Sequence, residues 1–184
     1  MAPDLKESFD TFVRTRGGYF LRVAVLLTGS PTEAEDLLQA SLERLYRAWP
    51  RLDAAAESDP DAYLRKILVN TRRSWWRTKW RRESPAADLP ERADPAVGTD
   101  PADGYALGAL VRAALAGLPR QQRAVLVLRY VEDLPVAAVA DLLGVSVGTV
   151  KTHAHRGLRA LRASLSEPDV VAVNESAGCD GVKG

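Results

Sequence analysis

Apolar residues recur every three or four positions along most of the chain, and no stretch alternates apolar with polar as a strand would. The reading is therefore all-α. Phe9, Phe12, Val13, Phe20, Val23 and Leu27 predict a first helix over Lys6 to Leu27, which Gly17-Gly18 could bend or interrupt. Ser30-Pro31-Thr32-Glu33 reads as a capping box with proline in the first helical position. The helix it opens is expected to run from Pro31 to Ala48 and end at Trp49-Pro50. Asp59-Pro60-Asp61 opens another by the same logic, reaching about Lys79 or Arg82. Further helices are predicted from Gly104 to Ala116 and, after a break at Gly117, from Pro119 onward.

The pattern is sharpest near the C-terminus. Val136 to Leu143 forms a short helix with Val139, Leu142 and Leu143 available for burial. Gly144 follows where a helix end favours positive φ, Val145 can point inward, and Ser146 is suited to cap the next helix. Small Ala140 allows two helices to cross closely. The second helix places Val147, Val150, Ala154, Leu158, Leu161 and Leu165 on one face. Lys151, Thr152, His155, Arg156, Arg159 and Arg162 occupy the other, with no carboxylate between Asp141 and Glu167. A helix-turn-helix with an acid-free basic stripe is built to lie along nucleic acid.

Charge is segregated along the chain although its formal net value is only +1. Residues 83–103 hold four prolines, no aromatic residue, and six acids against one base, the composition of a flexible linker. The stretch from Pro168 to Gly184 is small and polar and is expected to be disordered. The expected architecture is two small helical domains, at 1–82 and 104–167, joined by the acidic tether. One cysteine, Cys179, excludes an internal disulfide and a cysteine zinc cluster, and fits a reducing cytoplasm. MAPDLKESFD lacks the apolar core of a signal peptide, and no run of about 18 apolar residues suggests a membrane span.

Arg65 to Arg82, RKILVNTRRSWWRTKWRR, is the second informative segment. It carries eight Arg or Lys, no acid, and three of the four tryptophans: Trp75, Trp76 and Trp80. Cations track phosphates, and flat rings stack on unpaired bases, so the composition suits single-stranded nucleic acid. Tyr63, Ile67, Trp75 and Trp76 could instead be core for the N-terminal bundle. Adjacent Trp75 and Trp76 cannot share one narrow stripe, so at least one belongs near the surface.

Four motifs in this order resemble the extracytoplasmic-function sigma factors of bacterial RNA polymerase. They are Asp36-Leu37-Leu38-Gln39 with Leu42, Arg44 and Tyr46; Tyr63-Leu64-Arg65 to Val69-Asn70-Thr71; Leu118-Pro119-Arg120-Gln121-Gln122-Arg123; and Gly148-Thr149-Val150-Lys151. The resemblance covers about residues 5–165 and implies two helical domains, sigma region 2 and sigma region 4. It implies that Asp36, Gln39, Leu42 and Arg44 dock on the coiled coil of the polymerase β′ subunit. Asn70 would lie near the pocket for a flipped base of the −10 element. Thr71, Arg72, Arg73, Trp75, Trp76, Arg77, Lys79 and Trp80 would line the path of the melted strand. The C-terminal domain would sit on the β flap and read the −35 duplex through Ser146, Thr149, Lys151, Thr152, His155, Arg156 and Arg159. Of these, Lys151 and Thr152 are candidates for base edges, and Arg156 and Arg159 for phosphates. The partners implied are core RNA polymerase, double- and single-stranded promoter DNA, and an anti-sigma factor that would hold the two domains together. Ala40 departs from the acid common after the glutamine, and His153-Ala154 from the arginine and larger apolar residue common there.

A stand-alone helix-turn-helix regulator, with a sensor or dimerisation domain in front, is the rival reading. The basic tryptophan-rich helix argues against it, since a sensor needs no strand-binding surface. An enzyme acting on nucleic acid lacks support: there is no P-loop, no metal-spaced carboxylate pair and no Cys/His nucleophile arrangement. No cofactor is expected. His153 and His155, two apart, point to different sides of their helix and do not make a metal site.

Overall fold

The computed structural model describes residues 5–54, 58–82 and 106–166, with the backbone alone at 76–82 and 106–107. Seven helices account for nearly all of these: α1 (Leu5–Thr28), α2 (Pro31–Asp53), α3 (Pro60–Arg82), α4 (Ala106–Ala116), α5 (Arg120–Leu126), α6 (Val136–Leu143) and α7 (Val147–Leu165). A π-helical turn, Val127–Val131, continues α5. The expected linker at 83–103 and tail at 168–184 lie outside the described residues.

The helix starts follow their caps. Ser30 Oγ accepts from the Glu33 N–H at 3.4 Å, while the Ser30 N–H donates to Thr28 Oγ1 rather than closing a reciprocal box. Asp59 Oδ1 accepts from the Ala62 N–H at 2.9 Å and starts α3. Two expectations need correction. Gly17-Gly18 does not interrupt α1, which is continuous from Leu5 to Thr28. Nor does α2 end at Pro50; it runs through to Asp53. An interior proline costs a helix about 3 kcal/mol, and tertiary packing at Trp49 offsets it. The Trp49 ring is buried between Phe9 (5.2 Å between centroids) and Phe12 (5.1 Å), and its Nε1 donates to Ser8 Oγ at 2.8 Å.

Helices α1–α3 form an N-terminal bundle around Phe20, Val23, Leu27, Leu37, Leu45, Leu64 and Leu68. Helices α4–α7 form a C-terminal unit around Val125, Val127, Leu128, Val139 and Val150. These are not separate cores. One continuous apolar cluster joins both sets, and α1 and α3 pack directly on α5 and α6. A smaller cluster of Leu115, Leu118 and Leu126 also reaches Leu26 of the first bundle.

The helix-turn-helix closes as its sequence predicts. Gly144 ends α6 in the left-handed conformation at φ 65°, with its N–H on α6 carbonyls. Ser146 Oγ accepts from the Thr149 N–H at 3.1 Å. Val150 is fully buried, but Val147, assigned to the same apolar face, is 43% exposed, because the helix begins there at the edge of its neighbours' cover. Gly157 is buried, and a Cβ there would press on Leu126 and Gln122, so α7 owes its close seat on α5 to this residue.

Candidate nucleic-acid and polymerase interfaces

The first site lies across α1 and α2. Residues 35, 38, 39, 42, 43 and 46 share one face of α2 by helical spacing and, with Lys6, Phe9, Asp10 and Leu21 of α1, line an open apolar groove of about 560 Å³. Gln39 and Leu42, two of the predicted docking residues, are among its walls. Tyr46 stands at its rim, half exposed and edge-on to Phe9 at 4.9 Å. Asp36 is exposed on α2 outside this lining. Arg44 points elsewhere: its Nη1 donates to Thr71 Oγ1 at 2.6 Å, linking α2 to α3.

The second site is the basic helix α3. Asn70 is half-buried, Thr71 is fully buried under Arg44, and Arg72 is 8% exposed. Arg72 Nη2 donates to the Arg120 carbonyl, and Arg73 Nη1 to the Leu143 carbonyl at 3.1 Å. Two arginines expected on the strand path are thus engaged by the C-terminal unit. Trp75 is 38% exposed, which meets the expectation that one of the adjacent tryptophans sits near the surface. Tyr63, a core candidate, is also exposed, while Ile67 packs at the core's edge. The side chains of Trp76, Arg77, Lys79 and Trp80 lie outside the described residues.

The third site is the outer face of α7. Ser146, Lys151, Thr152, His155, Arg156 and Arg159 are all exposed, and Thr149 is half-buried. The first turn is ordered by its own hydroxyls: Ser146 Oγ and Thr149 Oγ1 lie 2.8 Å apart, and Thr152 Oγ1 donates to the Gly148 carbonyl. This leaves Lys151, His155 and Arg156 exposed on a helix whose first turn is fixed. His153 is half-buried, with its Nδ1 out of solvent and without a hydrogen-bond partner. Among the described residues no three His, Cys, Asp or Glu gather as a metal site would need. Nor is any helix there long and apolar enough to cross a membrane.

The sequence reading missed a polar network between the two units. Glu132, whose side chain is fully buried, accepts from Tyr19 Oη at 2.5 Å and from Arg65 Nε. Arg16 extends the network by pairing with Asp61 and lying over the Tyr19 ring at 4.8 Å. Burial, and then the bond to the Glu132 carboxylate, lifts the Tyr19 phenol above its ordinary range. The hydrogen bond to Asp61 likewise raises the Arg16 guanidinium. Glu132 is placed by the end of the π-helical turn: its N–H bonds the Val127 carbonyl, and Asp133 follows at φ 49°. Nothing in YVEDL distinguishes Glu132 from a solvated acid such as its neighbour Asp133.

Comparison with known proteins separates the rival readings. The Sigma-70 region 2 family model matches residues 7–82, and the Sigma-70 region 4 family model matches residues 109–161. The RNA polymerase sigma-E factor of Streptomyces avermitilis is 40% identical over 164 residues, covering 89% of this chain and 88% of that protein. The chain belongs to the extracytoplasmic-function sigma factors. The sigma-E factor of Streptomyces coelicolor is 39% identical over the same length, and the ECF sigma factor SigL of Mycobacterium tuberculosis is 32% identical over 79% of the chain and 82% of its own length. Among solved structures, the sigma factor RpoE of Bartonella quintana, crystallised with the anti-sigma factor NepR, shares the fold. Its TM-score is 0.60 at 24% identity, covering 87% of this chain and 98% of that one. For a sigma factor, α1–α3 are region 2 and α4–α7 are region 4, and the stand-alone regulator reading falls.

Proposed function

We infer that this sigma factor binds core RNA polymerase and directs it to specific promoters to start transcription. The observation that carries the reading is the union of region 2 and region 4 on one chain, with the basic face of α7 exposed among the described residues. The α1–α2 groove, with Gln39 and Leu42 in its wall and Asp36 beside it, takes the β′ coiled coil, and region 4 takes the β flap. Region 4 then sets the register on the −35 duplex. Lys151 and Thr152 reach base edges, while Ser146, Thr149, His155, Arg156 and Arg159 fix the backbone. Asn70 holds a flipped base of the −10 element, and Thr71, Arg72, Arg73 and the tryptophans that follow line the strand path. Arg44, bonded to Thr71, positions that path from α2 and touches β′ only with its remaining donors.

The chain acts by binding, in the cytoplasm, and contributes no catalytic residue or cofactor. An anti-sigma factor is a further partner, by analogy with the RpoE–NepR pair. The test mixes the purified chain with core polymerase and a promoter library and sequences the transcripts. Initiation from a defined promoter set is the expected result. Binding to duplex DNA with no transcription from any promoter would overturn it.

A further inference from the structure

Thr71 is fully buried and polar, in a space that a valine of the same shape would fill at lower desolvation cost. Its hydroxyl has a use. Thr71 Oγ1 accepts from Arg44 Nη1 at 2.6 Å, across the seam between α3 and α2. The bond is charge-assisted and directional, so it fixes how α3 is turned and seated at this level. The apolar neighbours Leu64, Leu68 and Val69 also hold α3, but apolar contact is non-directional and tolerates small slides and rotations. Asn70 precedes Thr71 in the same unbroken helix and is half-buried, so whatever turns Thr71 turns Asn70 with it. On α2, Glu43 lines the apolar groove, and Arg44, about 100° further round the helix, does not. Among the described residues no carboxylate pairs with Arg44 to draw its guanidinium away from Thr71.

We propose that Arg44 is a positioning residue for strand capture: through Thr71 it sets the pose of Asn70, and so the fit of the flipped base. The proposal rests on the reading that Asn70 holds that base, and it narrows the part of Thr71. A hydroxyl out of solvent and already bonded does not meet the strand; it acts through its neighbour. Asn70 offers an amide whose donor and acceptor have to meet a base edge together. Such a site needs support from groups that do not themselves touch the ligand. Helix α2 then serves two sites from two sides: Gln39 and Leu42 face the groove, and Arg44 braces α3.

The test uses holoenzyme reconstituted with the full chain, at sigma concentrations that saturate core polymerase, so that docking defects do not enter. The DNA is a promoter recovered from the library above, with a fluorescent adenine analogue in its −10 element reporting the rate of opening. Thr71→Val removes the acceptor and Arg44→Met the donor, each checked for native helix content by circular dichroism. Two variants from opposite helices keep the result readable if one fails to fold. Both should slow opening by roughly three- to tenfold, the worth of one net hydrogen bond. Thr71→Ser and Arg44→Lys, which keep an acceptor and a donor, should recover most of that loss. The deciding arm is Asn70→Ala. A brace that acts through Asn70 has nothing left to position there, so adding Thr71→Val should slow opening no further. A full further loss in the double variant, or normal opening by the folded brace variants beside a slow Asn70→Ala, overturns the proposal alone. A loss with Arg44→Met that Thr71→Val does not share overturns it too, since the charge would then act directly. Normal opening by Asn70→Ala overturns the reading of Asn70 itself, and the brace with it.

Discussion

The two basic helices of this sigma factor use their cations in opposite ways. On α7 the charges project into solvent from a helix whose other face is anchored by Val150 and Gly157. On α3 the first arginines after Asn70 end on carbonyls of the neighbouring unit, Arg72 buried and Arg73 with much of its side chain still exposed. Sequence alone makes the two look alike, since α7 and the 65–82 stretch of α3 are both basic and free of acids. The difference is one of partners. A duplex reader can stay exposed, because its target is available before anything opens. A helix that takes a melted strand has no target until the duplex melts, and on α3, proposed for that role, Arg72 and Arg73 bond protein carbonyls.

The sharpest way to break that comparison is at Glu132. Glu132→Ala leaves Arg65 and Tyr19 without their buried acceptor and should cost about 3 kcal/mol, the low end for breaking a buried ionic contact. Thermal unfolding should show this as a Tm lowered by roughly 6–12 °C. His155→Ala on the exposed face should stay within about 0.5 kcal/mol of the parent. A stable Glu132→Ala protein would mean that the network does not hold the units together.

Lys151→Ala sharpens the other side. It should weaken binding of the polymerase holoenzyme to −35 duplex by about 1–3 kcal/mol and relax the preference at one base position. Competition between duplexes that differ at single positions measures both. Gly144 couples the two helices. Gly144→Ala should cost about 1–2 kcal/mol for the left-handed backbone and should also displace Arg73. Gly144→Asn eases the first effect and keeps the second, so the difference in chemical denaturation between the two variants separates them.

The smallest effect concerns Tyr19. Its phenol is held protonated by burial and by Glu132, with Arg65 and Arg16 opposing. A raised folded-state value means that its stabilisation is complete below the ordinary phenol range and fades as pH climbs through the folded value. Ultraviolet titration should show one tyrosine ionising late, and Tyr19→Phe should remove that step and no other.

Much of this was legible from spacing and turn chemistry. Ser30, Asp59, Gly144 and Ser146 announce helix boundaries through local bonds that depend on a few neighbouring residues. The basic stripe of α7 was also readable, because helical periodicity places it opposite Val150. Pro50 misled, since the aromatic packing of Trp49 against Phe9 and Phe12 comes from residues forty positions away. The part that Glu132 and Arg123 play in joining the units was invisible for the same reason: their partners, Tyr19, Arg65 and Thr28, lie in the other unit. Arg72 and Arg73 carry the chemistry the sequence suggests, but whether it meets DNA or protein is decided by tertiary packing.

The division of labour between α3 and α7 is tested most directly on one promoter, with holoenzymes carrying Asn70→Ala or Lys151→Ala. Closed-complex affinity is measured by footprinting in the cold, and strand opening by permanganate reactivity of unpaired thymines on warming. Asn70→Ala should lose the permanganate signal while its duplex affinity is nearly unchanged. Lys151→Ala should lose duplex affinity and still open the promoter once saturated. Equal losses of duplex affinity in both variants, with opening following in proportion, would contradict the account.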